Sequence, residues 1–193
     1  MAAPSTRNVA AAKPKVGGGV YRAPLGTVLP TDASSELPAE AVALGYISDA
    51  GLVPTRDTSV DKIKAWGGDI VAALLTDESR SFEFTLLEVF SADVQKFVHG
   101  EENVTVTAAT ASAGTQVAVV DKGGKPEQQV LIFEMRHGDK KRRVIVPMAD
   151  PTVTGEEPWT DGSLSAYTVT VEALKDDSGA RVYEHFENDD RSA

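Results

Sequence analysis

The sequence predicts a mainly β protein: a β-sandwich or partly open barrel, one short flanking α-helix over about 91–99, and an extended N-terminal arm. Three observations lead there. From about residue 40 onward, apolar and β-branched runs recur between Gly, Pro and Asx turns, the pattern of antiparallel sheets. A single segment, 91–99, spaces its apolar residues at the helical period. Residues 1–38 are dominated by Ala, Pro, Gly, Ser and Thr, with prolines at 4, 14, 24, 30 and 38 and the run Gly17-Gly18-Gly19, which opposes regular ladders. The expected organisation is therefore an arm over 1–38, a β domain over 39–187 and a short acidic tail over 188–193.

AVALGYISD (41–49) reads as the first strand, with Gly51 beginning a turn. GLVPTRDTSVDKIKAWGG (51–68) is rich in strand formers, yet neither face is cleanly apolar. Alternation puts Thr58, Val60, Lys62, Lys64 and Trp66 on one side, and Ser59, Asp61, Ile63 and Ala65 on the other. A strand that buries one face against its own core sorts better than this. The segment is thus expected to touch something besides its own domain. The rival reading makes Trp66 a core residue and Gly67-Gly68 a plain hairpin turn.

DIVAALL (69–75) is an apolar run short enough for a buried strand. SFEFTLLEVF (81–90) places Phe82, Phe84, Leu86 and Phe90 on one face, interrupted by Glu88, and is the best core strand in the chain. The helix follows: Ser91 as N-cap, Asp93 favouring the dipole, Val94, Phe97 and Val98 on one side, Gly100 as the stop. The second half returns to strands. NVTVTAAT (103–110) and TQVAVVD (115–121) are separated by Ala-Ser-Ala-Gly; QQVLIFEMRH (128–137) and KKRRVIVPMA (140–149) flank a Gly138-Asp139 turn. SAYTVTVEALKD (165–176) and RVYEHFE (181–187) complete the set.

Little in the chain points to chemistry. Cysteine is absent, which excludes disulfides and thiolate metal sites. His99, His137 and His185 form no HxH or HExxH spacing, and the DxDxDG calcium pattern is missing. Neither glycine run fits a phosphate loop, and there is no GxSxG. No catalytic residue, cofactor or metal is expected. No run of about 18 apolar residues is present, so no membrane span is expected, and the N-terminus lacks the apolar stretch of a signal peptide.

The formal charge of −10 argues against general nucleic-acid binding, in which phosphate contacts supply most of the affinity. The one basic run, Lys140-Lys141-Arg142-Arg143, admits three readings: a weak nucleic-acid patch, a solvated hairpin, or pairing with acidic segments of another copy.

The order of GYISDAGL (45–52), VDKIKAWGGDIV (60–71), SFEFTLLEVF leading into SADVQKFVHG, and GSLSAYTVTVEALKDDSGARVYEHF (162–186) resembles the major tail (tail-tube) proteins of long non-contractile-tailed phages, especially those of actinobacterial hosts. With the N-terminal arm, the resemblance covers nearly the whole chain. It implies a structural virion protein without catalysis that self-assembles into hexameric rings stacked as a tube. Its implied partners are further copies, a tape-measure protein, and tail terminator and tail-tip proteins. Double-stranded DNA would pass through the lumen without specific binding, and assembly would take place in the host cytoplasm. A long loop or hairpin between early strands, with the terminal arms, would join one ring to the next. Pro54, Arg56, Lys62, Lys64, Trp66, Gly67, Gly68, Arg142 and Arg143 are the expected inter-subunit contacts. The competing function is a virion decoration or carbohydrate-binding β-domain, which calls for clustered exposed aromatics.

Overall fold

Strand alternation in the second half of the chain builds the centre of the molecule. The structure, a computed structural model, describes residues 6–15, 18–157 and 159–190. In chain order the strands are β1 (Lys13–Pro14), β2 (Val20–Ala23), β3 (Val42–Ala43), β4 (Val53–Lys64), β5 (Ile70–Leu86), β6 (Val104–Thr107), β7 (Gln116–Val119), β8 (Gln129–His137), β9 (Lys140–Thr154), β10 (Tyr167–Ala173) and β11 (Tyr183–Glu187). The helix α1 (Ala92–His99) lies between β5 and β6.

The main sheet runs β3-β2-β8-β9-β10-β5-β4, all antiparallel; β1 adds to β8 and β11 to β9, while β6 and β7 form a separate hairpin. The path does not close. One bridge, Ile47↔Leu86, brings the chain after β3 beside β5, with Ser48 N–H donating to the Thr85 carbonyl and Leu87 N–H to that of Tyr46. This is the mainly β, partly open barrel with one flanking helix that the sequence predicts.

The core is the inward row of four strands: Phe82, Phe84 and Leu86 of β5, Leu131 and Phe133 of β8, Val144 and Val146 of β9, and Val169 and Val171 of β10. Phe133 stacks on Phe82 at 5.4 Å and meets Phe84 edge-on at 5.7 Å. Val94, Phe97 and Val98 of α1 close one end, with Phe97 against Phe84. Ser91 occupies the N-cap position with extended backbone, but its side chain makes no cap bond. The Gln95 side chain donates to the Val89 carbonyl, six residues earlier and ahead of the helix.

Strand β8 is buried on both faces. Val130 and Ile132, with Ile145 and Ala23, form a second cluster covered by Tyr21, Leu29, Leu37 and Tyr183. Three of these, Tyr21, Leu29 and Leu37, come from the region whose composition suggested an arm. Within that region Val20–Ala23 is a strand paired to both β3 and β8. Prolines and glycines bracket these four residues without interrupting them. Residues 1–5 and 16–17 of the expected arm, and 191–193 of the expected tail, lie outside the described residues.

Three expectations change. The runs 69–75 and 81–90 both contribute to one strand, β5, and residues 70, 71 and 73–75 are exposed rather than buried, with Ala72 half-buried. Phe90 does not share the core face: β5 ends at Leu86 and Phe90 is exposed. The strand expected over 41–49 shrinks to Val42–Ala43 because Gly45 turns the chain at φ +75° against Glu88, whose carboxylate accepts the Tyr46 N–H. At that positive φ a side chain would be strained, and a Cβ would also displace the Glu88 carboxylate, which it would meet at 2.2 Å.

Candidate assembly surfaces

Alternating apolar and charged residues from 53 to 80 make a hairpin that outruns its sheet. β4 pairs with β5 from Val53↔Glu83 to Lys64↔Ile70, with β-bulges between Ser59 and Val60 and between Ile63 and Lys64. The third strand, β10, reaches β5 only over Ser81–Leu86. From Arg80 to Ile70 the hairpin is therefore a two-stranded ribbon, roughly 30 Å long at ~3.3 Å per residue. Every residue of β4 is exposed. So are Ile70, Val71, Leu74 and Leu75, at 53–63%. A two-stranded ribbon alone in water is marginal, and this one leaves aliphatic side chains open on both faces.

The tip, Ala65–Asp69, is held by the Ala65 N–H on the Asp69 carbonyl and the Gly68 N–H on that of Ala65. Gly67 and Gly68 take φ +113° and +98°, conformations that a side chain would strain. Trp66 projects from this turn fully exposed. It is not a core residue, so the rival reading of this segment fails on that point.

Antiparallel pairing puts directly opposed residues on the same face. Pro54, Arg56, Thr58, Val60, Lys62 and Lys64 share one face with Phe82, Arg80, Glu78, Leu75, Ala73 and Ile70. Asp57, Ser59, Asp61 and Ile63 share the other with Ser79, Asp77, Leu74 and Ala72.

The base of the ribbon is fastened by cations. Arg80 and Arg142 grip the two oxygens of Glu184 on β11, and Arg142 lies over the Phe186 ring. Arg181 donates to the carbonyls of Ala173 and Glu78, tying β10 to β5 where the ribbon departs. Partial burial pushes the Glu184 carboxyl up, but the hydrogen bond and charge of Arg142, with Arg80, outweigh it and hold the pKa below the ordinary value.

The structure brings together Arg56, Lys62, Lys64, Trp66, Gly67 and Gly68 on the ribbon and its tip, with Pro54 just below, opposite Phe82 where β10 still flanks β5. Arg142 stands at the base and is linked to the ribbon through Glu184. Arg143 lies apart, buried opposite Glu134 of β8. Its guanidinium donates to Glu134, to the carbonyls of Asp32 and Ser35 and to the Ser35 hydroxyl. Lys15 reaches the other Glu134 oxygen at 2.6 Å, so one carboxylate pins two N-terminal stretches to the barrel. The whole basic run is engaged within its own chain, since Lys141 pairs with Glu187 and Lys140 approaches Asp189 at 4.0 Å.

Sequence reasoning missed the second strand of the ribbon. Counting outward in both directions from Gly67-Gly68 would have set 53–64 against 70–83 and revealed it. A separate cleft of about 740 Å³ is lined by Phe90, Trp159, Tyr167, Glu157 and Asp161 among others, and exposes both Phe90 and Trp159. The histidines are scattered: His99 stands edge-on to Tyr167, His137 accepts the Ala11 N–H, and His185 sits on β11. Among the described residues no three His, Asp or Glu side chains are grouped to hold a metal, and no helix is long and apolar enough to cross a membrane.

A family model described as phage tail tube protein matches residues 5–193. The match names no host. No curated protein matches the chain.

Proposed function

The chain belongs to the phage tail tube protein family, a family of virion structural proteins, and on that premise we propose that copies of it self-assemble into hexameric rings stacked as the tail tube that conducts DNA at ejection. The observation that carries this reading is the β4–β5 ribbon. It leaves its own sheet, exposes Val60, Ile63, Ile70, Leu74 and Leu75, and ends in a fully exposed tryptophan. A free edge strand with apolar side chains on both faces is a liability unless another chain covers it. Ring closure needs such heterologous surfaces, in which one patch meets a different patch on the next copy.

The residues proposed to make this contact are Pro54, Arg56, Lys62, Lys64, Trp66, Gly67 and Gly68, backed at the base by Arg142. Arg143 serves the same assembly indirectly, by holding residues 32–35 against the barrel. The tape-measure, terminator and tail-tip proteins complete the proposed set of partners, with assembly in the host cytoplasm. A net charge of −10 per copy suits a lumen through which DNA slides without adhering.

The test is electron microscopy and sedimentation of the purified protein across concentration and salt. Rings or tubes are expected at high concentration; a strict monomer throughout would contradict the proposal. The Phe90–Trp159 cleft favours the second reading, a carbohydrate-binding or decoration domain, because sugar rings stack on exposed aromatics flanked by carboxylates. Saturable glycan binding by a stable monomer would support that alternative.

A further inference from the structure

The ribbon is two-faced in charge. Every basic side chain of the paired hairpin, Arg56, Lys62, Lys64 and Arg80, lies on one face. The opposite face carries Asp57, Asp61, Asp77 and Glu83 and has no Lys or Arg. On the basic face Arg80 is taken by Glu184 and Arg56 approaches Glu78 at 3.7 Å. Lys62 and Lys64, nearest the tip, have no ion-pair partner among the described residues. Each face also bears an aliphatic stripe: Val60, Ile70 and Leu75 among the cations, Ile63 and Leu74 among the carboxylates.

Resting on the reading that this ribbon joins copies, we infer that its occupant is the ribbon of a second copy, stacked face to face, the basic face of one on the acidic face of the next. Stacked sheets lie about 10 Å apart, a gap that two layers of aliphatic side chains fill and a lysine stem spans. Val60, Ile70 and Leu75 then pack on Ile63 and Leu74, with Lys62 and Lys64 brought over Asp57, Asp61 and Asp77. The reverse pairings are excluded by repulsion: basic on basic sets lysines against lysines, acidic on acidic sets aspartates against aspartates. A twofold dimer would require one of these like-on-like contacts. Opposite-on-opposite is the single order left. It is heterologous, so it gives the assembly a direction and leaves a free face at each end for the next copy.

Two double variants test this. Lys62→Glu with Lys64→Glu makes both faces acidic; Asp57→Lys with Asp61→Lys makes the acidic face basic. All four side chains are exposed, so both proteins are expected to melt with the wild type. Neither is expected to form rings or tubes alone by electron microscopy or sedimentation. An equal mixture of the two is expected to assemble, as is a chain carrying all four substitutions, because its faces have simply exchanged. Normal assembly of the Asp57/Asp61 variant, or failure of both the mixture and the fourfold chain, would overturn face-on-face stacking. A third chain, with residues 60–76 removed, separates this failure from the failure of its premise. If that chain still assembles, the ribbon does not join copies at all. If it does not, while assembly ignores the charge exchanges, only the stacking is wrong.

Discussion

Val130–Phe133 of β8 and Ile70–Leu75 of β5 are both continuous apolar runs in strands, and they meet opposite fates. The first is buried on both faces, with Leu131 and Phe133 in the barrel core and Val130 and Ile132 beneath Leu29 and Leu37. The second stands in solvent with only β4 beside it. Local hydrophobicity does not separate them; their neighbours do. β8 lies between β2 and β9, and its buried Glu134 is matched by Arg143 directly opposite. The partner of Ile70–Leu75 is a strand with charges on both faces, which no monomer core can bury. An apolar run is thus evidence of burial somewhere, in the same chain or in another.

The contrast breaks most sharply by mutation in the core. Phe133 touches both Phe82 and Phe84, so Phe133→Ala is expected to destabilise the monomer by about 3–5 kcal/mol. Denaturant unfolding checks this, and a loss below ~1 kcal/mol would show that the aromatic cluster is not the core. Arg143→Met comes next. It strands the buried Glu134 carboxylate with Lys15 alone, at an expected cost of about 3 kcal/mol, and frees residues 32–35 for proteolysis.

Acid is expected to act on the ribbon's base. The Glu184 pKa is lowered on folding, so its contribution is complete above the ordinary glutamate value of 4.5 and is lost as pH falls through the lower folded value. The melting temperature should drop over that window, and the drop should shrink in Glu184→Gln. An unchanged acid profile in that variant would show that the Arg80–Glu184–Arg142 bridge contributes nothing measurable. The smallest expected effect is on the ribbon itself. Trp66→Ala and Leu74→Ser should shift monomer stability by no more than ~0.5 kcal/mol, yet impair assembly. Unfolding of the Trp66→Ala monomer by several kcal/mol would return Trp66 to the core.

Much of the barrel was legible because its strands bury one face or two. The alternation of Phe82, Phe84 and Leu86, the Gly138-Asp139 turn and the helical spacing of Val94, Phe97 and Val98 each follow from one local rule. What escaped sequence reasoning depends on distant pairing. The exposure of Ile70–Leu75 is visible only once β4 is laid against β5 and β10 is seen to stop at Ser81. Phe90 leaves the core because β5 stops at Leu86 and the chain turns before α1, where Glu88 accepts the Tyr46 amide, a contact 42 residues apart in sequence. Arg143 carries the same charge as its neighbour Arg142, but strand alternation sends one inward to Glu134 and the other to Glu184. The mixed faces of 53–64 are exposed in the structure, and the charge segregation between them is visible only with the register.

The most direct test of the ribbon as an assembly element is to remove it. Residues 60–76 would be replaced by an Asn-Gly turn joining Ser59 to Asp77, which are already paired across the hairpin. The shortened monomer is expected to melt close to the wild type and to form no rings or tubes at any concentration under electron microscopy. Tubes from the shortened chain, or a monomer that no longer folds, would contradict the account.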